Sequence, residues 1–242
     1  MRSYLVTGAS GGLGLEIARQ LSEAGKQVFN LDIKPPASDN GALYIPTDLR
    51  NASNMRRSVE FAMGHPDGID CLVNNAGLNY NAWLEDTGLA DWSDVFAVNV
   101  TAPFLLTQQL IPQLAERCGT VCNVTSNAAW TPMRASAAYN SSKAAAHMLT
   151  LQMARELTKD KGITVFGIAP GKMRGTGMSK YIEQKVLEVR GWTPEFAKQY
   201  QANGLVTGEE IEPEVLAEFI VWLLSEKKRH FYLSGVVIPY GG

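Results

Sequence analysis

Tyr139 and Lys143 stand four residues apart in a stretch, Ala138–Lys159, whose pattern predicts a long helix, so both side chains leave the same face. A free tyrosine has a pKa of about 10 and is a poor base near neutrality. A neighbouring ammonium favours the phenolate and lowers that value. A tyrosine tuned in this way can take a proton from an alcohol or return one to a carbonyl oxygen. Ser126 follows the core of a predicted strand, Thr120–Thr125, where its hydroxyl can bond the same substrate oxygen and steady a developing alkoxide. Taken alone, Tyr and Lys at helical spacing read as a surface pair and Ser126 as a turn residue. A second motif gives the set its meaning.

That motif is Thr7-Gly8-Ala9-Ser10-Gly11-Gly12-Leu13-Gly14, between a predicted strand, Ser3–Thr7, and a predicted helix, Gly14–Ala24, which ends at Gly25. Glycines there permit a tight turn and let backbone approach a pyrophosphate, which then lies on the helix N-terminus. Asp32 ends the next predicted strand, Gln27–Asp32, 18 residues beyond Gly14. A carboxylate in this place accepts hydrogen bonds from both adenosine ribose hydroxyls and repels a 2′-phosphate. Position 11 is glycine rather than a basic residue, which also favours NAD over NADP. Lys34 is the one feature that argues the other way. A bound nicotinium ring would act on Tyr139 in the same sense as Lys143.

The remaining chain supplies the elements that must position these groups. Tyr44–Pro46, Ile69–Asn74, Ile163–Ala169 and Gly235–Pro239 read as further strands, and Ala52–Met63 and Pro213–Ser225 as helices. Asp91–Arg117 reads as one long helix with an irregularity or kink at Pro103 and Pro112. Strand then helix, repeated about six times, predicts an α/β fold with a parallel sheet covered on both faces. No repeat, low-complexity tract or linker divides residues 1–242, so one domain is expected. Residues 172–207 break the alternation and read as an elaborated substrate-binding loop after a strand's C-terminal end.

Composition narrows the rest. A hydrophobic fraction of 45% supports a large core, and a net charge of −2 offers no footprint for nucleic acid. Lys227-Lys228-Arg229 follows the apolar run Val215–Leu224 and reads as a cation cluster at a helix C-terminus. Cys71, Cys118 and Cys122 form no CxxC pair, and an odd count favours a reducing compartment, here read as the cytoplasm. Cys122 reads as a small buried hydrophobe. His65, His147 and His230 lack metal-ligand spacing, so no metal is expected. His147 continues the 139–143 face by one turn and reads as core or a subunit contact. The first residues run straight into a strand and no stretch meets the length of a span, so neither leader peptide nor membrane segment is expected.

With these motifs together, the chain resembles the short-chain dehydrogenase/reductase family in its classical branch, from Leu5 to the C-terminus. The motifs fall in order: Thr7–Gly14, Asp48-Leu49, Asn74-Asn75-Ala76-Gly77, Asn99, Ser126, Tyr139-x-x-x-Lys143 and Pro170-Gly171, with Ser126 13 residues before Tyr139. The resemblance implies a Rossmann-like, doubly wound parallel sheet of about seven strands. It implies that Asp48 and Leu49 contact adenine, and that Asn75, Ala76 and Gly77 line the cofactor groove, with Pro170, Gly171 and Met173 near the nicotinamide. Tyr139 and Lys143 would touch the cofactor as well as the substrate, and Asn99 would anchor a water linking Lys143 to solvent. A homo-oligomer, tetramer or dimer, built on the two long helices is also implied. Two departures stand out. Gly175 occupies the place of the family's nicotinamide-binding Thr, leaving Thr176 one position further on, and Tyr240-Gly241-Gly242 replaces the common Asp-Gly-Gly.

The candidate substrate wall is apolar and aromatic: Trp83, Trp130, Met133, Met173, Met178, Tyr181, Trp192 and Phe196. Such a wall suits a ring or acyl chain better than a small polyol. Arg134, five residues before Tyr139, is placed either to hold a substrate carboxylate in a fork or to lie in solvent. Ser126–Pro132 is similar to the matching segment of 2,3-dihydro-2,3-dihydroxybenzoate dehydrogenases. Acyl-thioester ketone reduction and sugar-alcohol oxidation stay open beside it. The expected function is hydride exchange between NAD(H) and a secondary alcohol or ketone. The rivals are a non-catalytic NAD(H)-binding sensor or scaffold on the same fold, and an epimerase or dehydratase of the extended branch. The latter has a different glycine spacing and a longer C-terminal region.

Overall fold

Seven strands form one parallel sheet: β1 (Ser3–Thr7), β2 (Gln27–Asp32), β3 (Leu43–Pro46), β4 (Cys71–Asn74), β5 (Thr120–Val124), β6 (Thr164–Pro170) and β7 (Val237–Tyr240). The computed structural model describes residues 2–225 and 230–241. Strand order is β3-β2-β1-β4-β5-β6-β7, with every pairing parallel. The order reverses between β1 and β4, and a crevice outside the strands' carboxyl ends is the position where such sheets bind ligands. The expected doubly wound architecture is the one observed.

Alternation of side chains along the strands sends residues to opposite faces. Tyr4 and Val6 pack with Ile17 and Leu21 of α1 (Gly12–Glu23) and Leu216 and Ile220 of α8 (Pro213–Ser225). Leu5, between them, faces the other layer, where α2 (Ala52–Met63), α4 (Ala102–Glu116) and α5 (Ala137–Lys161) contribute Val59, Leu110 and Leu157. Each of these side chains is at most 6% exposed, and such burial is worth about 2 kcal/mol per side chain.

The single helix expected over residues 91–117 is divided. α3 (Leu89–Phe96) gives way to a π-helical turn, Ala97–Thr101, and then to α4. Pro103 has no amide proton for the carbonyl four residues earlier, that of Asn99, and the wider turn stands there. Pro112 lies inside α4 without ending it. Leu89–Glu116 is long and apolar enough to cross a membrane by length and composition only, where no such stretch was expected. Its residues Ala102, Leu106, Leu110 and Leu114 are buried in the core beside strand residues Leu5, Leu72 and Val121, and Val95 is buried as well.

Residues 172–207 are not a loop. They contain α6 (Gly177–Arg190) and α7 (Pro194–Asn203). Thr176 caps α6 by accepting the Ser179 amide at 3.0 Å, and Gly191 ends it at φ +64°. Tyr240, at the end of β7, stacks on Phe219 of α8 with ring centres 5.4 Å apart, so it packs within its own chain. The cation cluster Lys227-Lys228-Arg229 lies outside the described residues.

Candidate active site

The glycine turn closes around two backbone contacts that exclude side chains. A Cβ on Gly14 would lie 2.2 Å from the Gly8 carbonyl oxygen and 2.4 Å from Asn75 Nδ2. At Gly8, φ is +67°, and a Cβ would meet Ala76 Cα at 2.9 Å. Asn75 fastens the turn to the end of β4 by donating to the Thr7 and Gly8 carbonyls at 3.0 and 3.2 Å. Gly11, by contrast, has open space where a Cβ would stand, and the α1 N-terminus it begins carries no side-chain cap. Uncapped amides beside an open cradle fit a pyrophosphate. Leu13 turns its side chain into the core, 3% exposed, leaving its backbone as the part available to such a ligand.

Asp32 is tied to this turn. One carboxylate oxygen accepts the Ser10 amide at 3.1 Å and the other accepts the Lys34 amide at 3.1 Å. Ser10 Oγ also donates to the Lys34 carbonyl at 2.6 Å, and the Lys34 residue is exposed. Asp48 sits further along the same edge, with its carboxylate held by the Arg50 amide, Nε and Nη2 at 2.9–3.0 Å. Arg50 keeps Asp48 below the usual carboxylate range and also reaches Asp94. Leu49 is buried, 8% exposed, against the α2 layer.

Beyond the turn opens a cavity of about 720 Å³, and Ser126, Tyr139, Lys143, Asn75, Gly77, Pro170, Gly171 and Met173 all line it. A buried ladder fixes α5 in this place: Asn74 Nδ2 donates to Asn123 Oδ1 at 2.8 Å, and Asn123 Nδ2 to Thr150 Oγ1 at 2.9 Å. Asn140 holds the loop after β5 by donating to the Ala128 and Thr131 carbonyls at 2.7 and 2.8 Å. Ser126 Oγ accepts the Ala128 amide at 3.1 Å and donates to Asn127 Oδ1 at 3.3 Å.

Tyr139 and Lys143 both face inward, 8% and 4% exposed. Lys143 Nζ lies 5.7 Å from the Tyr139 ring centre and donates to the Val124 carbonyl at 3.1 Å. Burial dominates both groups. It raises the pKa of Tyr139, against a hydrogen bond with Ser126 that works downward, and it draws Lys143 down to about 8. The expected lowering of Tyr139 by Lys143 is therefore not seen in this arrangement, where desolvation of the phenolate outweighs the hydrogen bond with Ser126. Asn99 is 2% exposed in the π-helical turn; its Oδ1 accepts the Leu78 amide at 2.8 Å, and its Nδ2 donates to the Leu78 carbonyl and Ser142 Oγ at 2.9 Å each. A methyl on Gly77 would lie 3.7 Å from both Asn99 Oδ1 and Lys143 Nζ, so the two residues flank the same glycine.

The substrate wall differs from the expected one. Met133, Met173, Met178 and Arg134 line the cavity, and so does Thr176, whose side chain also lies against Gly12. Trp83 and Tyr181 instead line a separate cleft of about 340 Å³. Trp130 lies edge-on to His147, and Trp192 packs with Phe196 and Tyr200; none of Trp130, Trp192 and Phe196 lines the cavity. Sequence reasoning missed Asn79, Asn81, Ser136, Arg190 and Tyr200, which do. The asparagines alternating with Leu78 and Tyr80 in the segment after β4 were the available signal for the first two. Cys71 and Cys122 are buried and Cys118 is exposed. Among the described residues no group of three or more His, Cys, Asp or Glu is gathered as a metal would need.

Comparison with known proteins agrees with this architecture. A family model described as short chain dehydrogenase matches residues 2–187. The chain is 34% identical over 257 residues to the 3-oxoacyl-[acyl-carrier-protein] reductase of rhamnolipid biosynthesis from Pseudomonas aeruginosa, covering 100% of this chain and 95% of that one. It is 29% identical over 245 residues to 2,3-dihydro-2,3-dihydroxybenzoate dehydrogenase of Escherichia coli, covering 99% and 96%. The L-sorbose reductase of Gluconobacter frateurii, solved in complex with NADPH and L-sorbose, superposes with a TM-score of 0.86 at 26% identity, covering 100% and 95%. Family model and relatives span the glycine turn and the Ser126–Tyr139–Lys143 cluster alike, and the chain belongs to the short chain dehydrogenase family of oxidoreductases that act on CH–OH and keto groups with a nicotinamide cofactor.

Proposed function

We propose that this chain exchanges hydride between NAD(H) and a small secondary alcohol or ketone, with Tyr139 as the general acid and base. The observation that carries this reading is the convergence of Ser126, Tyr139 and Lys143 on one cavity at the carboxyl ends of the strands. Bound nicotinamide supplies the hydride acceptor or donor. In the direction of oxidation, Tyr139 Oη takes the hydroxyl proton of the substrate, and in reduction it returns one to the carbonyl oxygen. Ser126 Oγ bonds that oxygen and stabilises its developing charge. Lys143, protonated below about pH 8, favours the phenolate once Tyr139 gives up its proton, and Asn99 anchors a water that carries protons from Lys143 to solvent.

Residues that would hold the dinucleotide are Gly8, Ser10, Gly11, Gly12, Leu13 and Gly14 at the pyrophosphate, and Asp32 at the ribose. Asp48 and Leu49 would lie by the adenine, with Asn75, Ala76, Gly77, Pro170, Gly171 and Met173 toward the nicotinamide. Asp32 supports NAD: a 2′-phosphate would be brought against a carboxylate already saturating two amides. The L-sorbose reductase of Gluconobacter frateurii was solved with NADPH on the same fold, so the choice of NAD rests on Asp32 and not on the fold. We read residues 1–242 as one domain whose segment 172–207 covers the substrate, in the cytoplasm, where thiols such as those of Cys118 and Cys122 stay reduced. We also read the chain as a homo-oligomer. Phe104 of α4 and Met148 of α5, 44% and 61% exposed, are apolar side chains on the helices that would meet a second copy.

The test is titration with NADH and, separately, NADPH, followed by tryptophan fluorescence. Tighter NADH binding is expected. Preference for NADPH would contradict the role given to Asp32, and binding of neither would contradict the enzyme reading itself.

A further inference from the structure

Among the described residues no aspartate or glutamate lines the 720 Å³ cavity, but four cationic side chains do: Lys143, Lys172, Arg134 and Arg190. Two of these are accounted for. Lys143 belongs to the catalytic cluster, and Lys172 pairs with Glu183 at 3.0 Å and Glu210 at 2.5 Å. Arg134 and Arg190 have no carboxylate partner among the described residues. They are neighbours: Arg190 Nη2 donates to the Arg134 carbonyl, and the two guanidinium groups lie over the rings of Trp192 and Trp83 respectively, at 4.8 and 5.1 Å. Arg190 Nε is buried with no hydrogen-bond partner among the described residues. Guanidinium groups stay charged in proteins and carry five donors each, so an unpaired buried donor on one of them is costly. Burial pulls the pKa of Arg190 down, and the like charge of Arg134 adds to that effect. A helix C-terminus favours a cation, which accounts for Arg190 ending α6 but not for its placement beside a second guanidinium in a cavity.

The pair lies far from the pyrophosphate cradle. Thr176, at the start of α6, touches Gly12, whereas Arg190 is the last residue of the helix. Fourteen helical residues separate the two ends by roughly 20 Å. The backbone between Arg134 and Tyr139 is held in place, with Ala135 at φ +52° and its carbonyl bonded by Asn81 Nδ2 at 3.2 Å.

We propose that Arg134 and Arg190 form an oxyanion subsite away from the pyrophosphate cradle, so that the substrate carries a carboxylate or phosphate. This rests on the reading of the cavity as a dehydrogenase site, and it adds a charge requirement to that reading. An oxyanion would give Arg190 Nε its missing acceptor and offset the repulsion between the two cations.

The test uses benzoate, phenyl phosphate and neutral benzamide as probes, titrated calorimetrically into the protein with and without NADH. At least one anion is expected to bind about tenfold more tightly than benzamide, and the tighter of the two identifies the oxyanion. The double variant Arg134→Gln/Arg190→Gln should lose that preference while binding NADH as the wild type does. Arg190→Lys, which keeps the charge, should retain part of it and serves where the double variant unfolds. Equal binding of anions and benzamide by the wild type, or a preference unchanged in the charge-removing variant, would overturn the proposal. Failure to bind NADH would contradict the dehydrogenase reading instead, and the anion preference would still be read in the protein alone.

Discussion

Lys143 Nζ donates to the carbonyl of Val124 at 3.1 Å, which ties α5 to the last residue of β5, with the ammonium 5.7 Å from the Tyr139 ring centre. A single backbone acceptor does not compensate for the loss of water around an ammonium, and the group is held near pH 8. Lys143 is thus a charge whose protonation changes close to neutrality, inside the cavity where a proton must move.

That placement has a measurable cost. The folded state favours neutral Lys143, with a pKa of about 8 against an ordinary 10.5, so the unfolded chain binds more protons between these values. The contribution of this group to stability should therefore be most unfavourable below pH 8 and relax as pH rises toward 10.5. Lys143→Met removes it. Urea unfolding from pH 7.5 to 10 should show the stability of the variant relative to the wild type falling by up to about 3 kcal/mol. A difference that stays constant across that range would contradict the burial argument.

Two glycines of the same turn should respond in opposite ways. Gly14→Ala places a methyl within 2.2 Å of the Gly8 carbonyl oxygen and should destabilise the fold by about 2 kcal/mol or more. Gly11→Ala enters open space from an extended backbone, φ −164°, and should leave thermal stability nearly unchanged. Its methyl stands in the pyrophosphate cradle, so NADH affinity should fall. Unaltered affinity in the Gly11 variant would remove the cradle from the account.

Asp32→Ala should weaken NADH binding and improve the relative use of NADPH. The comparison is made on the ratio of the two dissociation constants, because loss of the acceptor for the Ser10 amide loosens the turn for both cofactors. An unchanged ratio would show that Asp32 does not read the ribose.

Asn99→Ala leaves both the amide and the carbonyl of Leu78 without the partner that now holds them. Each unsatisfied buried group costs about 1–3 kcal/mol, so a loss near 2 kcal/mol is expected in urea unfolding. A loss below about 0.5 kcal/mol would show that water replaces the amide at no cost.

The sequence disclosed the scaffold wherever periodicity and punctuation agreed. β1, β2, α2 and α8 have the predicted bounds, with Gly8 following β1, Asn51 and Gly64 flanking α2 and Pro213 opening α8. The division of residues 91–117 was foreseen at Pro103 as an irregularity, but its form, a π-helical turn presenting Asn99, depends on packing. α6 was not recognised because its charged face hides a narrow buried stripe through Ser179, Ile182 and Val186. Thr176 and Gly191, as its caps, were the signal that would have found it. The cluster Ser126–Tyr139–Lys143 was legible from spacing, whereas the direction of the Tyr139 shift was not, since spacing says nothing about desolvation. The cavity wall was the least legible part. Trp83, Trp192 and Phe196 find partners among themselves and their neighbours, and which aromatic faces a cavity is decided by tertiary contact.

The role of Tyr139 is tested most directly by measuring, in the wild type and Tyr139→Phe, both NADH affinity and the rate of NAD reduction across a panel of secondary alcohols. The variant keeps the buried ring and loses only the hydroxyl. The account predicts a rate lower by a factor of about 100 to 10,000, with NADH affinity unchanged within about twofold. Undiminished turnover in the variant would contradict it.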